Sequence, residues 1–149
     1  MSSASATISN DEAAIRSVIE SVGKAHQDKN AEGIVAPYAS DAVIYSLAPP
    51  LRHVGMETKQ IQAWLDTWEG PVEREARDLT IQVTGGFALA HGYYRLGGTP
   101  KSAGRPISFW LRATVALRRE GNGWQIVHEH TSVPFYMDGS LRPAFDLQP

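Results

Sequence analysis

The run FWLRATVALRREGNGWQIVHEHTSV, from Phe109 to Val133, constrains this chain more than any other segment. Two stretches rich in β-branched and aromatic residues flank a Gly121-Asn122 turn, the pattern of a tight hairpin. Arg112, Thr114, Glu129, Thr131, His128 and His130 are threaded among the apolar residues. A solvated hairpin would carry its charges at the ends. Polar groups inside a buried sheet cost free energy unless partnered, so they mark a pocket or an interface. The segment predicts a polar cavity built on a sheet, without naming what enters it.

The length of 149 residues predicts one domain with a single core. Net charge of −2 argues against nucleic acid or an anionic membrane as a partner. The absence of Cys excludes disulfide scaffolds, thiolate metal sites and Cys nucleophiles, and suits a reducing cytoplasm. No run approaches the roughly 18 apolar residues of a membrane-spanning helix. MSSASATISN has neither a basic start nor an apolar stretch, so residues 1–10 are expected to form a flexible tail rather than a signal peptide.

Ser9-Asn10-Asp11-Glu12 has the form of a capping box. Behind it Ala14, Ile15, Val18, Ile19, Val22 and Ala25 recur at helical spacing, predicting an amphipathic helix to about Lys29. Asn30 caps a short second helix, and Ala42–Leu47 reads as a strand closed by Ala48-Pro49-Pro50. A third helix runs from about Met56 to Trp68, with Ile61, Trp64, Leu65 and Trp68 on one stripe and Gly70-Pro71 as its stop. The period then changes to two: Arg77, Leu79, Ile81 and Val83 alternate with Asp78, Thr80 and Gln82, and Gly85-Gly86 turns into Phe87–Leu96. Gly97–Pro106 reads as a long flap-like loop. Helices first and four long antiparallel strands after give an α+β layer, a cone-shaped curved antiparallel sheet with three N-terminal helices across its mouth. The domain is expected over residues 11–135. Residues 136–149 form an extension whose Tyr136, Leu141 and Phe145 pack on the domain or on a partner.

Counting outward from the Gly121-Asn122 turn puts Arg112 near Thr131 and Thr114 near Glu129. One face then carries Trp110, Arg112, Thr114, Ala116, Val127, Glu129 and Thr131 and reads as a cavity wall. The other carries Leu111, Ala113, Val115, Leu117, Trp124, Ile126, His128, His130 and Ser132 and suits packing against the sheet of a second copy. Glu129 is the candidate general base, Arg112 its partner or an anion anchor, and His91 an alternative base if it faces inward. Tyr45, Ser46 and Tyr94 offer hydroxyls to the cavity, while Trp64, Trp68 and Trp110 offer apolar platforms. Each also has a plainer reading, as a structural ion pair, a satisfied core polar or core packing. His128 and His130 project the same way and could hold zinc only with a third ligand. No nucleophile elbow, P-loop or G-x-G-x-x-G is present.

The segments IRSVIESVGKAHQDKNAEGIVAPYASDAVIY, GMETKQIQAWLDTW and GNGWQIVHEHTSVPF resemble the nuclear transport factor 2-like superfamily. That group includes ketosteroid isomerase, SnoaL-like cyclases and the kinase association domain. YASDAVIYSLAPPL, RDLTIQVTGGFALAHG and HEHTSVPF resemble the ketosteroid isomerase homologue group in particular. The resemblance spans Asp11 to Phe135 and implies a cystatin-like roll. It places Ser46 at the family's catalytic base, Val22 at its hydroxyl donor and Thr114 at or beside its acidic donor, so steroid isomerisation is not expected. What it implies is a small-molecule-binding protein that uses no cofactor. The expected chemistry is isomerase, cyclase or hydratase proton transfer on a carbonyl-bearing substrate. The alternatives are a non-catalytic ligand-binding or scaffolding homodimer, paired through the outer sheet face, and a His-dependent metalloenzyme.

Overall fold

A computed structural model describes residues 2–149, except for the side chains of Ser2, Ile8 and Ser9. Its elements follow the order α1 (Ser2–Gln27), α2 (Ala31–Val35), β1 (Tyr38–Tyr45), β2 (His53–Val54), α3 (Thr58–Leu65), β3 (Trp68–Thr84), β4 (Phe87–Pro100), β5 (Ile107–Glu120) and β6 (Gly123–Ser132). The strands form one curved, unclosed sheet in the order β2-β1-β6-β5-β4-β3. Every neighbouring pair is antiparallel except β1 and β6, which run parallel. No helix among the described residues is long and apolar enough to cross a membrane.

The stripe Ile15, Ile19, Val22 and Ala25 of α1 is buried against the sheet, as its spacing predicts. The start of the helix differs from expectation. Residues 2–10 are already helical, so no helix begins at Asp11, and the capping role expected of Ser9 lies outside the described residues. Asp11 instead ties the helix to the sheet, its carboxylate pairing with Arg119 of β5 at 2.7 Å. Ala4 and Ala6 carry the helix backwards at little cost in side-chain entropy. Asn30 caps α2 as expected, its side chain accepting from the Gly33 N–H at 3.1 Å.

Two glycines fix how closely elements pack. A Cβ at Gly23 would collide with the Arg74 carbonyl oxygen, so α1 lies directly on β3 at that point. Gly98 adopts φ +148°, and a Cβ there would stand 3.0 Å from the Pro71 oxygen and from the Trp68 ring. This corrects the reading of Gly97–Pro106 as one flap. Strand β4 continues to Pro100, pairing Glu69 with Thr99, and its glycines serve close approach rather than freedom. Gly70-Pro71 likewise does not stop α3. The helix ends at Leu65, and β3 starts at Trp68 with an irregularity between Glu69 and Glu73 that absorbs the Gly-Pro pair.

The last hairpin turns where expected, Glu120 facing Gly123, but its register slips further along. Leu117 pairs with Ile126 whereas Ala116 pairs with His128, so Val127 is bulged out of the ladder. Arg112 therefore faces Ser132, and Thr114 faces His130. Val115 pairs with Glu129. The face carrying Leu111, Ala113, Val115 and Leu117, expected to dock onto a second copy, is the helix-covered core. Beyond the bulge Glu129 joins it, while Trp110, Arg112 and Thr114 go to the outer face.

Candidate functional site

The inner face of the sheet carries a charged cluster assembled from strands distant in sequence. Arg74 of β3 donates from Nη2 to Glu129 Oε2 of β6 at 3.0 Å, and the Tyr38 hydroxyl of β1 donates to the same oxygen at 2.9 Å. The Arg74 guanidinium lies 4.1 Å from the ring centroid of Tyr94 on β4, a cation–π contact. Both charged side chains are withdrawn from water, Arg74 at 9% and Glu129 at 10% exposure. Burying such a pair costs several kcal/mol per ion before its attraction repays it. Tyr38 and Tyr94 supply part of that repayment by hydrogen bonding and stacking.

Beside the ion pair lies an aromatic group. His26 of α1 meets Trp64 of α3 edge to face, centroids 5.8 Å apart, and Trp64 meets Trp68 in the same way at 5.7 Å. His26 Nδ1 lies 2.7 Å from the Val22 carbonyl oxygen, and Lys29 Nζ donates to the Trp68 carbonyl at 2.8 Å. Trp64 is partly exposed, whereas Trp68 and His26 are buried.

Burial raises the Tyr38 phenol well above its ordinary pKa; the Glu129 charge adds to this and Arg74 opposes it. Burial raises Tyr94 as well. For Arg74 burial acts downward, but the Glu129 carboxylate and both tyrosines outweigh it and its pKa is raised. His26 is lowered to about 3, first by burial and then by the positive charge of Arg74, against the hydrogen bond to Val22. At neutral pH the cluster thus holds one cation, a neutral imidazole and two neutral phenols around Glu129.

Of the residues singled out from the sequence, Glu129, Tyr94, Trp64 and Trp68 come together here. The others do not. Arg112 is exposed on the outer face, its Nε donating to Ser132 Oγ at 3.1 Å. His91, Thr114, His130 and Tyr45 form one cross-strand row on that face. Trp110 sits there under Arg77, 5.3 Å from guanidinium carbon to ring centroid. Tyr45 packs edge to face on His128 and His130, at 5.1 and 5.4 Å. Ser46 is exposed and donates to the Ala48 carbonyl. Thr131 is half-buried and lines a groove of about 270 Å³ with Leu47, Phe135 and Phe145. The C-terminal extension closes this end, Phe145 stacking on Phe109 with centroids 4.4 Å apart.

The zinc reading of His128 and His130 finds no third ligand. Among the described residues no group of three or more His, Asp or Glu is placed to hold a metal ion. His91 stands two strands from His130, roughly 9–10 Å by strand spacing, and His128 Nδ1 is engaged with the Val43 carbonyl at 2.7 Å.

Tyr38, Arg74 and His26 were not anticipated, although each leaves a trace. His26 continues the Ile15, Ile19, Val22 stripe. Arg74 shares one strand face with Val72 and Ala76, in a phase opposite to that of Arg77, Leu79 and Ile81. The irregularity between Arg77 and Thr80, with Asp78 at φ +54°, reverses that phase and aims Arg74 inward.

An open cavity is expected around Glu129. Among the grooves formed by the described residues, those lined by Lys29, Asp11, Thr131 and His130 do not open onto the ion pair, and none of them touches Arg74, Glu129, Tyr38 or Tyr94. One of them, of about 710 Å³, runs between α2 and α3 and is lined by Lys29, Glu32, Thr58, Gln62 and Asp66. Lys29 joins this cleft to the Trp68 carbonyl.

Helices laid across one face of a bent six-stranded sheet give the cystatin-like fold of the nuclear transport factor 2-like class. The model of the SnoaL-like domain matches residues 15–136, and the chain belongs to that family. It is similar to an NTF2-like protein of unknown function from Pseudomonas putida KT2440, 35% identical over 95% of this chain and 98% of that one, with a TM-score of 0.82. An NTF2-like protein from Novosphingobium aromaticivorans is 20% identical over 88% of this chain and 84% of that one, with a TM-score of 0.66. A ketosteroid isomerase-like protein from Erwinia carotovora atroseptica is 19% identical over 80% and 93%, with a TM-score of 0.64. These two share the fold. No curated protein matches the chain.

Proposed function

We propose that this chain binds a small organic molecule against the Arg74–Glu129–Tyr38–Tyr94 cluster, with a carbonyl or carboxylate oxygen of the ligand taken by Arg74 and no cofactor involved. The observation that carries this reading is the burial of Arg74 and Glu129 together. Well-packed hydrophobic residues often replace a buried ion pair without loss of stability, so a core serving stability alone has no need of one. Entry runs through the cleft between α2 and α3. Helix α3 spans eight residues with Leu65 as its buried member, so tilting it exposes Trp64, His26 and Trp68 at small cost.

A proton-transfer role for Glu129 is favoured by its being the buried carboxylate of the inner face. A ligand oxygen that draws Arg74 away would free Glu129 to act on the adjacent carbon, as in an isomerase, cyclase or hydratase. Steroid isomerisation is not part of this reading: Val22 is packed in the core, Ser46 is exposed and Thr114 lies on the outer face. Pairing of two copies over the outer face, through exposed Tyr93 and its neighbours, does belong to it, as does a cytoplasmic setting.

The test is a thermal-shift screen of carbonyl and carboxylate compounds, followed by calorimetric titration of the hits. Arg74→Lys should weaken binding at least tenfold, because a point charge cannot reproduce the planar fork, whereas Arg112→Leu should leave it unchanged. Equal affinity for Arg74→Lys and the wild type would remove the reading. Deuterium exchange from solvent into a bound ketone, lost in Glu129→Gln, separates catalysis from binding alone.

A further inference from the structure

The loop from β1 to β2 walls a groove of about 690 Å³ beside the end of β1. Tyr45 pairs with His130 and Ile44 with His53, so the next rung of the ladder sets Arg52 across from Tyr45. All three residues line the groove. The Tyr45 ring is held edge to face on His128 and His130, which keeps its hydroxyl in place. Much of the remaining wall is apolar, with Leu47, Pro49, Pro50 and Leu51, and Leu51 is left 97% exposed. Each proline has a fixed φ, so little chain entropy is lost when a ligand packs there. Charge sets this groove apart. Arg52 and His130 line it, and no Asp or Glu does. By contrast, Glu32 and Asp66 accompany Lys29 and Lys59 between α2 and α3, and Asp11 pairs with Arg119 in the groove they share. The ion pairs among the described residues leave Arg52 without an acid.

The geometry points to a second binding site here, for an organic acid with an aliphatic chain. Its carboxylate accepts from the Arg52 guanidinium and the Tyr45 hydroxyl, with a ring N–H of His130 as a further donor, and its chain lies along Leu47, Pro50 and Leu51. A guanidinium presents its donors as a planar fork that matches a carboxylate, and an apolar wall left in water gains by being covered. This site is independent of the Arg74–Glu129 cluster, which lies on the inner face of the sheet. The pairing face proposed around Tyr93 is centred three strands away, roughly 14 Å by strand spacing, so the groove falls at its margin.

The probe is sodium hexanoate, set beside 1-hexanol, which keeps the chain without the charge, and sodium acetate, which keeps the charge without the chain. In protein labelled with ¹³C-histidine, the His130 ring signals should move to saturation with hexanoate at about millimolar concentration. Hexanol and acetate should each bind about tenfold more weakly, or more weakly still, the scale of one charge-assisted contact or of a few buried methylenes. Arg52→Gln should weaken hexanoate by about tenfold, and Arg112→Gln, on the same face outside the groove, should leave it unchanged. Arg52 is exposed, so its replacement leaves the core untouched. Unchanged affinity in Arg52→Gln, acetate binding as tightly as hexanoate, or no movement of His130 would overturn the inference. Movement of His26 in place of His130 would put the acid at the Arg74 cluster and overturn this second site alone. Should Arg52→Gln fail to fold, the His130 signals of the wild-type protein with the three probes decide.

Discussion

Lowering the pH should unfold this protein through His26 before its carboxylates matter. In the folded chain His26 is held at about 3, against 6.5 for an ordinary imidazole. Between those values the unfolded chain binds a proton that the folded one refuses, so stability rises with pH across the window. The contribution is fully present above about 6.5 and is lost as pH falls toward the folded value. Each pH unit is equivalent to about 1.4 kcal/mol, so the descent from pH 6.5 to 4 removes roughly 3 kcal/mol. That is a large share of the 5–15 kcal/mol typical of a domain. Asp138 and Asp146 are lowered by hydrogen bonds from Ser140 and Tyr136, so they act in the same direction, but only below the usual carboxylate range. They leave the upper part of the window to His26. Urea unfolding of the wild type and His26→Phe at pH 7, 6, 5 and 4 measures the difference. The wild type should lose roughly 3 kcal/mol that the variant keeps. Parallel curves, or an NMR titration placing His26 near 6, would refute both the burial of the ring and its neighbourhood with Arg74.

Two further outcomes follow from the same contacts. Tyr38→Phe removes one donor to Glu129 while keeping the ring, and should cost about 1.5–3 kcal/mol in denaturant unfolding, the range for a hydrogen bond to a charged group. Gly23→Ala should destabilise the protein despite the better helix propensity of Ala, because the added methyl meets the Arg74 carbonyl; a rise in melting temperature would show that α1 does not lie so close to β3.

The helix order, the four long strands and the final turn are legible because they depend on period and on turn chemistry, both local properties. The apolar stripe of α1 and the Gly121-Asn122 turn sit where their spacing puts them. What local pattern does not carry is a bulge. Val127 leaves the β5–β6 ladder and reverses the phase of the β6 residues beyond it, so a count from the turn puts Glu129 on the face of Arg112 although it points inward with Val115. The irregularity beside Asp78 does the same to β3 and conceals Arg74. Glu129 is legible as a polar residue in a buried strand, but its partners are not, because the slip turns it away from Arg112 and onto the face of Val115. Gly98 is illegible for another reason: glycine signals equally a flexible loop and a close contact, and only the Trp68 ring beside it decides.

The central claim is that Glu129 is paired with Arg74 inside the sheet and not with Arg112 outside it. A double-mutant cycle on Arg74→Met and Glu129→Leu, set beside one on Arg112→Leu and Glu129→Leu, measures this directly. Each single change at Arg74 or Glu129 should cost about 3–5 kcal/mol by leaving a buried charge alone, with the double variant far less damaged than their sum. The Arg112 cycle should be additive within about 0.5 kcal/mol. Additivity between Arg74 and Glu129, with coupling between Arg112 and Glu129 instead, would contradict the arrangement on which the proposed site depends.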